Sequence, residues 1–122
     1  MRILVVDDDE IFCRLLVDVF EDVGISAACI TDGAAAHDLI NRDSYDLCII
    51  DVRMPSILGT ELAEGIKKMH PQMKIILASA FADRALQEYA RRKGLLLLSK
   101  PFTQLQLFDA VDIASAESIG RN

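Results

Sequence analysis

Four separate points along the chain carry side chains able to work on an anionic group: Asp7, Asp8 and Asp9; Asp51; Ser79; and Lys100. Each closes or closely follows a short apolar run. Several carboxylates gathered in one small cleft repel each other and hold protons unless a cation compensates them. Magnesium suits that role. It is a hard ion that takes a few carboxylate oxygens, keeps some waters and accepts phosphate oxygens as further ligands. Lys100 could neutralise one carboxylate or pair with an incoming phosphoryl oxygen, and Ser79 could hydrogen-bond that oxygen. An aspartate at a strand end is a competent nucleophile toward phosphorus and gives an acyl phosphate. A cation and a lysine beside it would stabilise charge on the equatorial oxygens during transfer.

Taken singly, each of these residues has a plainer explanation. An acidic run before a helix often caps it, a part Asp9 could play. An Asp after a strand is commonly a turn residue. Ser79 alone would be a loop hydroxyl, and Lys100 alone a solvated charge. Their order on successive strand ends is what coincidence does not explain.

Five strands and five helices must position these groups. Residues 2–6 form an apolar run ended by acids, which reads as a buried strand. Over 10–23 the apolar residues Ile11, Leu15, Val19, Phe20 and Val23 recur at helical spacing, and Gly24 stops the helix. A second strand is expected over 26–30, and a helix opened by Asp32-Gly33 runs through Ile40. The third strand, 46–50, ends directly in Asp51. A helix over about 59–69 is ended by His70-Pro71, because the residue before proline is pushed out of helical geometry. The fourth strand covers 74–79, a polar helix 83–93 ends at Gly94, and the fifth strand covers 95–99. The last helix runs from Thr103, a plausible N-cap, to about 116. Apolar strands separated by helices require a parallel sheet covered on both faces. Right-handed crossovers make this a doubly wound sandwich, in which ligands sit beyond the carboxyl ends of the strands.

Composition sets the outer limits. The chain has 122 residues, enough for one domain with a single core. With 52% hydrophobic and 26% charged residues it is globular rather than disordered. No apolar run approaches the roughly 20 residues needed to span a bilayer, so no membrane segment is expected. The first apolar stretch is too short for a signal-peptide core, and a cytoplasmic location is expected. Cys13, Cys29 and Cys48 lack paired zinc-site spacing and read as small core residues in a reducing compartment. A net charge of −6 repels a phosphate backbone, which argues against direct nucleic-acid binding. His37, in a helix among alanines, and His70, at a helix end, read as surface residues.

At these residues the sequence resembles the receiver domains of two-component response regulators, of the chemotaxis-regulator type, over essentially its whole length, 1–122. Ile3-Leu4-Val5-Val6-Asp7-Asp8-Asp9 resembles the family's first strand with its acidic pair. Asp51-Val52-Arg53-Met54-Pro55-Ser56-Ile57-Leu58-Gly59 resembles the phosphoacceptor loop, Ser79-Ala80 the Thr/Ser followed by a small residue, and Lys100-Pro101-Phe102 the lysine with its proline.

The resemblance implies a flavodoxin-like five-stranded parallel sheet of order 2-1-3-4-5 with five helices. It implies that Asp51 takes a phosphoryl group from a sensor histidine kinase or phosphotransfer protein. Asp7, Asp8, Asp51 and the backbone carbonyl of Arg53 would hold Mg2+, while Ser79 and Lys100 would grip the phosphoryl oxygens. The Lys100-Pro101 bond would be cis. Phosphorylation would bias a two-state change at the face made by helix four, strand five and helix five, read by a downstream output domain or protein. Such a protein is a phosphoacceptor that assists its own phosphorylation and dephosphorylation, and not a metabolic enzyme.

Three features stand out against the family pattern. Leu97 stands where the family usually has Tyr or Phe, and simple core packing is the favoured reading for it. Leu95 to Leu98 make an outer strand unusually apolar. They imply either burial or a partner surface, such as a homodimer through the helix four, strand five and helix five face. Arg53 and Phe81, two residues after Asp51 and Ser79, occupy positions that tune phosphoryl lifetime, and a large Phe81 could shield the acyl phosphate from water. Residues 117–122 read as a C-terminal tail or the start of a linker. The chain fits both a stand-alone receiver and a receiver cut from a longer protein.

Two other functions compete. A magnesium-dependent phosphohydrolase with an aspartyl nucleophile would want an acid where Arg53 stands. A pseudo-receiver, acting as a phosphorylation-independent binding module, is the alternative reading that Leu97 keeps open.

Overall fold

The apolar runs that end in chemistry-bearing residues are all strands of one sheet. A computed structural model describes residues 1–119. Strand β1 (Arg2–Val6) leads to helix α1 (Glu10–Asp22) and strand β2 (Ser26–Ile30). A 3-10 turn (Gly33–Ala35) runs into α2 (Ala36–Arg42), followed by β3 (Leu47–Asp51), α3 (Gly59–Met69) and β4 (Lys74–Ser79). The chain closes with α4 (Arg84–Lys93), β5 (Leu96–Ser99) and α5 (Gln104–Ile119). All neighbouring strands pair in parallel, in the order β2-β1-β3-β4-β5. The fold is thus the flavodoxin-like sandwich that the resemblance implies.

Alternation along each strand sends side chains to two cores, one per face of the sheet. Leu4, Val6, Cys48, Ile50 and Leu77 point to one side, where Ile40 of α2 and Leu62, Ala63 and Ile66 of α3 cover them. Ile3, Val5, Ile49 and Ile76 point to the other, against Cys13, Leu16 and Phe20 of α1 and Leu107, Ala110 and Val111 of α5. Each fully buried Leu, Ile or Phe contributes on the order of 2 kcal/mol. Both faces of β3 are therefore dry, and its last residue, Asp51, is carried to a fixed point at the sheet's carboxyl edge.

Helix α1 turns a different face inward from the one its spacing suggests. Ile11 (82% exposed), Leu15 and Val23 face solvent, whereas Cys13, Leu16 and Phe20 are buried. Two apolar stripes overlap on this helix, and periodicity alone does not choose between them. The core makes the choice, taking Cys13, Leu16 and Phe20 against the sheet, while Asp9 Oδ1 caps the first turn by accepting from Phe12 N at 3.1 Å.

The expected second helix begins with a 3-10 turn because Asp32 Oδ1 caps the Ala34 amide at 3.0 Å, two residues on. Gly94 ends α4 in the left-handed region (φ 69°), as its position predicts. Helix α5 continues to Ile119, so that 117–119 are helical rather than tail; the rest of the expected tail, 120–122, lies outside the described residues.

Neither histidine is a plain surface residue. His37 is half-buried, its ring lying where a Cβ on Gly65 would come within 2.9 Å, at the packing of α2 on α3. His70, also half-buried, has Nε2 2.9 Å from Asn41 Oδ1. Leu95 and the leucines of β5 are half-buried and divided between the cores, Leu95 and Leu97 on one side and Leu96 and Leu98 on the other. The Lys100-Pro101 peptide is cis, as the resemblance implies.

Candidate functional site

Among the described residues, the polar side chains that are buried are Asp7, Asp51 and Ser79, each at the carboxyl end of an inner strand. Burying a carboxylate is costly unless it is paired. The pairing comes from Lys100, just past β5, whose Nζ lies 2.8 Å from Asp7 Oδ2 and 3.3 Å from Asp51 Oδ1. One ammonium thus bridges two acids from different strands. Its backbone is fixed by Lys100 N donating to Ser79 O at 2.8 Å.

Asp8 supplies a third carboxylate, and one oxygen from each of Asp7, Asp8 and Asp51 lies within 4.8 Å of the others. Three hard oxygen donors against a single lysine leave excess negative charge, and this is a donor set suited to magnesium. The third acid of the run takes no part in that group. Asp9 caps α1, while its amide donates to Asp7 Oδ1 at 2.9 Å.

The electrostatics follow from this crowding. Burial, and then the neighbouring Asp7 charge, push the Asp51 carboxyl up to about 6, against the opposing pull of Lys100. For Lys100, burial works against the ammonium, but the hydrogen bond and charge of Asp7, aided by Asp51, outweigh it and raise its pKa.

Ser79 arrives at the same edge, and its hydroxyl accepts from Phe81 N at 3.0 Å rather than touching a carboxylate. The loop after Asp51 doubles back so that Gly59 N donates to Val52 O at 2.8 Å, with Arg53 and Leu58 pairing across it. Met54 is buried beneath, and Ser56 Oγ donates to Asp32 Oδ1 at 3.2 Å, tying this loop to the one after β2. The Arg53 guanidinium carbon lies 5.3 Å from the centre of the Phe81 ring, so the two side chains that stand out against the family pattern meet.

The structure therefore brings Asp7, Asp8, Asp51 and Lys100 together, with Ser79 at the end of β4 and Arg53 on the loop after β3. A residue the spacing does not single out is Phe12, whose ring centre is 4.5 Å from Lys100 Nζ. Its signal is hidden because it belongs to the stripe of α1 that competes with Ile11 and Leu15.

Comparison with known proteins identifies the family. Residues 3–112 match the family described as response regulator receiver domain. The chain is 30% identical to the response regulator receiver protein CpdR of Brucella abortus, over 91% of this chain and 93% of that protein. It spans 46% of the response regulator receiver protein Anae109_2439 of Anaeromyxobacter and 27% of the Escherichia coli transcriptional regulatory protein GlrR, so several relatives are much longer. A CheY-like receiver domain from Methanospirillum hungatei superimposes with a TM-score of 0.90, covering 99% of this chain and 98% of that one at 24% identity. The response regulator TrrA of Thermotoga maritima, solved in complex with Mg2+ and BeF, superimposes at 0.82 with 30% identity, covering 93% and 97%. The chain belongs to the response regulator receiver domain family of two-component signalling.

Proposed function

We propose that this receiver is a phosphorelay switch whose phosphoacceptor is Asp51, loaded by a sensor histidine kinase or a phosphotransfer protein. The observation that carries the reading is the bridge from Lys100 to both Asp7 and Asp51, with Asp8 beside them. Asp7, Asp8, Asp51 and the backbone carbonyl of Arg53 would hold Mg2+. The bound ion supplies charge neutralisation for the carboxylates and the equatorial phosphoryl oxygens.

The chain's own groups divide the remaining work. An Asp51 carboxylate oxygen forms the new P–O bond as the P–N bond to the donor's imidazole breaks, and the departing nitrogen takes up a proton. Lys100 then transfers its hydrogen bond from Asp51 Oδ1 to a phosphoryl oxygen while keeping Asp7. Ser79 Oγ already accepts from Phe81 N, which leaves the hydroxyl hydrogen to donate to another phosphoryl oxygen. That contact draws in the loop after β4 and biases the face of α4, β5 and α5, where Leu97 packs on the α2–α4 side. The rest of the reading is a cytoplasmic receiver over 1–122, signalling to an output domain or protein, with a homodimer through the α4–β5–α5 face. Convergence of all five side chains disfavours a phosphorylation-independent binding module.

The test is intact mass after exposure to acetyl phosphate or phosphoramidate with magnesium, beside an Asp51→Asn control. The expected result is a magnesium-dependent gain of one phosphoryl unit, absent in the control. A wild-type protein that neither gains mass nor binds beryllofluoride would sink the reading.

A further inference from the structure

The site contains a closed circuit of contacts that reaches outside its acids. Asp7 Oδ1 accepts from Asp9 N at 2.9 Å, and Asp9 Oδ1 accepts from Phe12 N at 3.1 Å. The Phe12 ring centre stands 4.5 Å from Lys100 Nζ, and Lys100 Nζ returns to Asp7 Oδ2 at 2.8 Å. A second ring braces the first: Phe102, two residues past Lys100, meets Phe12 edge-on at 5.7 Å and 78°. Phe12 is half-buried, and Lys100 is about one-fifth exposed.

We propose that Phe12 is a positioning residue for phosphoryl transfer, its ring face holding the Lys100 ammonium over Asp7 and Asp51. The proposal rests on the reading of Asp51 as phosphoacceptor.

The physical need is specific to lysine. Its ammonium is a point charge on a flexible four-carbon stem, with no fork to fix its direction. Once Asp51 carries a phosphoryl group, Lys100 must shift toward the new oxygens without escaping to solvent. A ring face attracts a cation within about 6 Å, strongest where water is excluded, and it does so without a demanding direction. Phe12 therefore lets the ammonium slide while keeping one wall of its site apolar and dry. The same circuit gives Asp9 its part: its cap holds the first helical turn, which carries the ring.

The experiment compares wild type with Phe12→Leu and Phe12→Met, which fill the space without a ring, and with Phe12→Tyr, which restores the ring. Two readouts are taken on the full chain: acetyl phosphate loading with magnesium by intact mass, and the position of the Lys100 ε-methylene signal in 13C-lysine spectra. Lys100 is expected to show an upfield ring-current shift in wild type and in Phe12→Tyr, lost in both aliphatic variants. Loading should slow about fivefold in the aliphatic variants and stay within about twofold of wild type in Phe12→Tyr. Using two aliphatic variants means that a folding defect in one does not decide the outcome, and the Lys100 shift of the wild-type protein is read whether or not either variant folds. Loading unchanged in a folded aliphatic variant, equal slowing in all three variants, or an unshifted Lys100 signal in wild type would each overturn the role of Phe12. A wild-type protein that takes no phosphoryl group overturns the phosphoacceptor reading itself, and this inference with it.

Discussion

Gly59 lies directly against the backbone of Asp51: a Cβ at that position would stand 2.2 Å from the Asp51 carbonyl oxygen and 2.7 Å from Val52 Cα. The first residue of α3 and the last residue of β3 are thus in contact, and only a glycine fits between them. Those atoms are main chain and have no side-chain rotation by which to yield. Gly59→Ala is expected to cost about 2–3 kcal/mol and to displace Asp51 enough to slow phosphoryl loading. Gly33 offers the contrast, since a Cβ there meets Ile57 Cγ2 at 2.7 Å and the end of the Met54 side chain at 2.9 Å, both of which can rotate away. Gly33→Ala should cost less than half as much. Chemical denaturation of the two variants checks the order, and equal costs would contradict it.

Charge on Asp51 should be a liability to the fold. Burial, joined by the Asp7 charge, lifts this carboxyl from its ordinary 3.8 to about 6. Between those values the folded state holds a proton that the unfolded state has lost. The stability contributed by that proton is present at acid pH and disappears as pH rises through 6, by at most about 3 kcal/mol. In magnesium-free buffer Asp51→Asn is therefore expected to raise the melting temperature by on the order of 5 °C at pH 8. At pH 4 the gain should largely vanish. Magnesium should stabilise the wild type at pH 8 and do little for the variant. A gain that is the same at both pH values would mean that packing, and not charge, is responsible.

The acidic run has separable duties. Asp8 is exposed and belongs to the three-carboxylate group, whereas Asp9 caps α1. Asp8→Asn should weaken magnesium binding at least tenfold with little effect on folding in the absence of metal. Asp9→Ala should cost about 1 kcal/mol of stability and change magnesium affinity only slightly. Calorimetric titration with magnesium, paired with thermal melts, separates the two. Interchanged results would reassign the run.

How far the sequence already contains this site depends on the scale considered. Asp51 and Ser79 are legible because each closes an apolar run buried on both sides, and Lys100 because it follows the apolar, half-buried run of β5; a parallel sheet delivers such ends to one edge. The pairing of Lys100 with both Asp7 and Asp51 follows from opposite charges meeting there. The rotation of α1 is not legible, because Ile11, Leu15 and Val23 offer a stripe as regular as that of Cys13, Leu16 and Phe20. Packing of Cys13, Leu16 and Phe20 into the core settles it, and with it the contact of Phe12 on Lys100. The His37 ring against Gly65 is hidden for a related reason: a glycine in a helix gives no sign of which side chain will fill the space it leaves.

Arg53 and Phe81 form the outermost contact of the site, joining the loops that follow β3 and β4 through a guanidinium carbon 5.3 Å from the ring centre. Phe81 is 65% exposed, so the ring is held over the loops by this pairing rather than by burial. At such an exposed position a cation–π pair is worth about 0.5–1 kcal/mol, enough to hold the pair closed most of the time but not to lock it. On the reading of Asp51 as phosphoacceptor, the pair is expected to slow both the entry of water to the acyl phosphate and of small donors to the free carboxylate. Phe81→Ala and Arg53→Ala are each expected to shorten the phosphoryl half-life about threefold and to speed loading by acetyl phosphate to a similar degree. Because each substitution removes the same contact, the double variant should be little faster than either single one. Decay of the phosphorylated mass after donor removal, measured for all four proteins, gives the cycle. Single effects that multiply in the double variant would mean that the two side chains act independently and that their contact has no part in protecting the phosphoryl group.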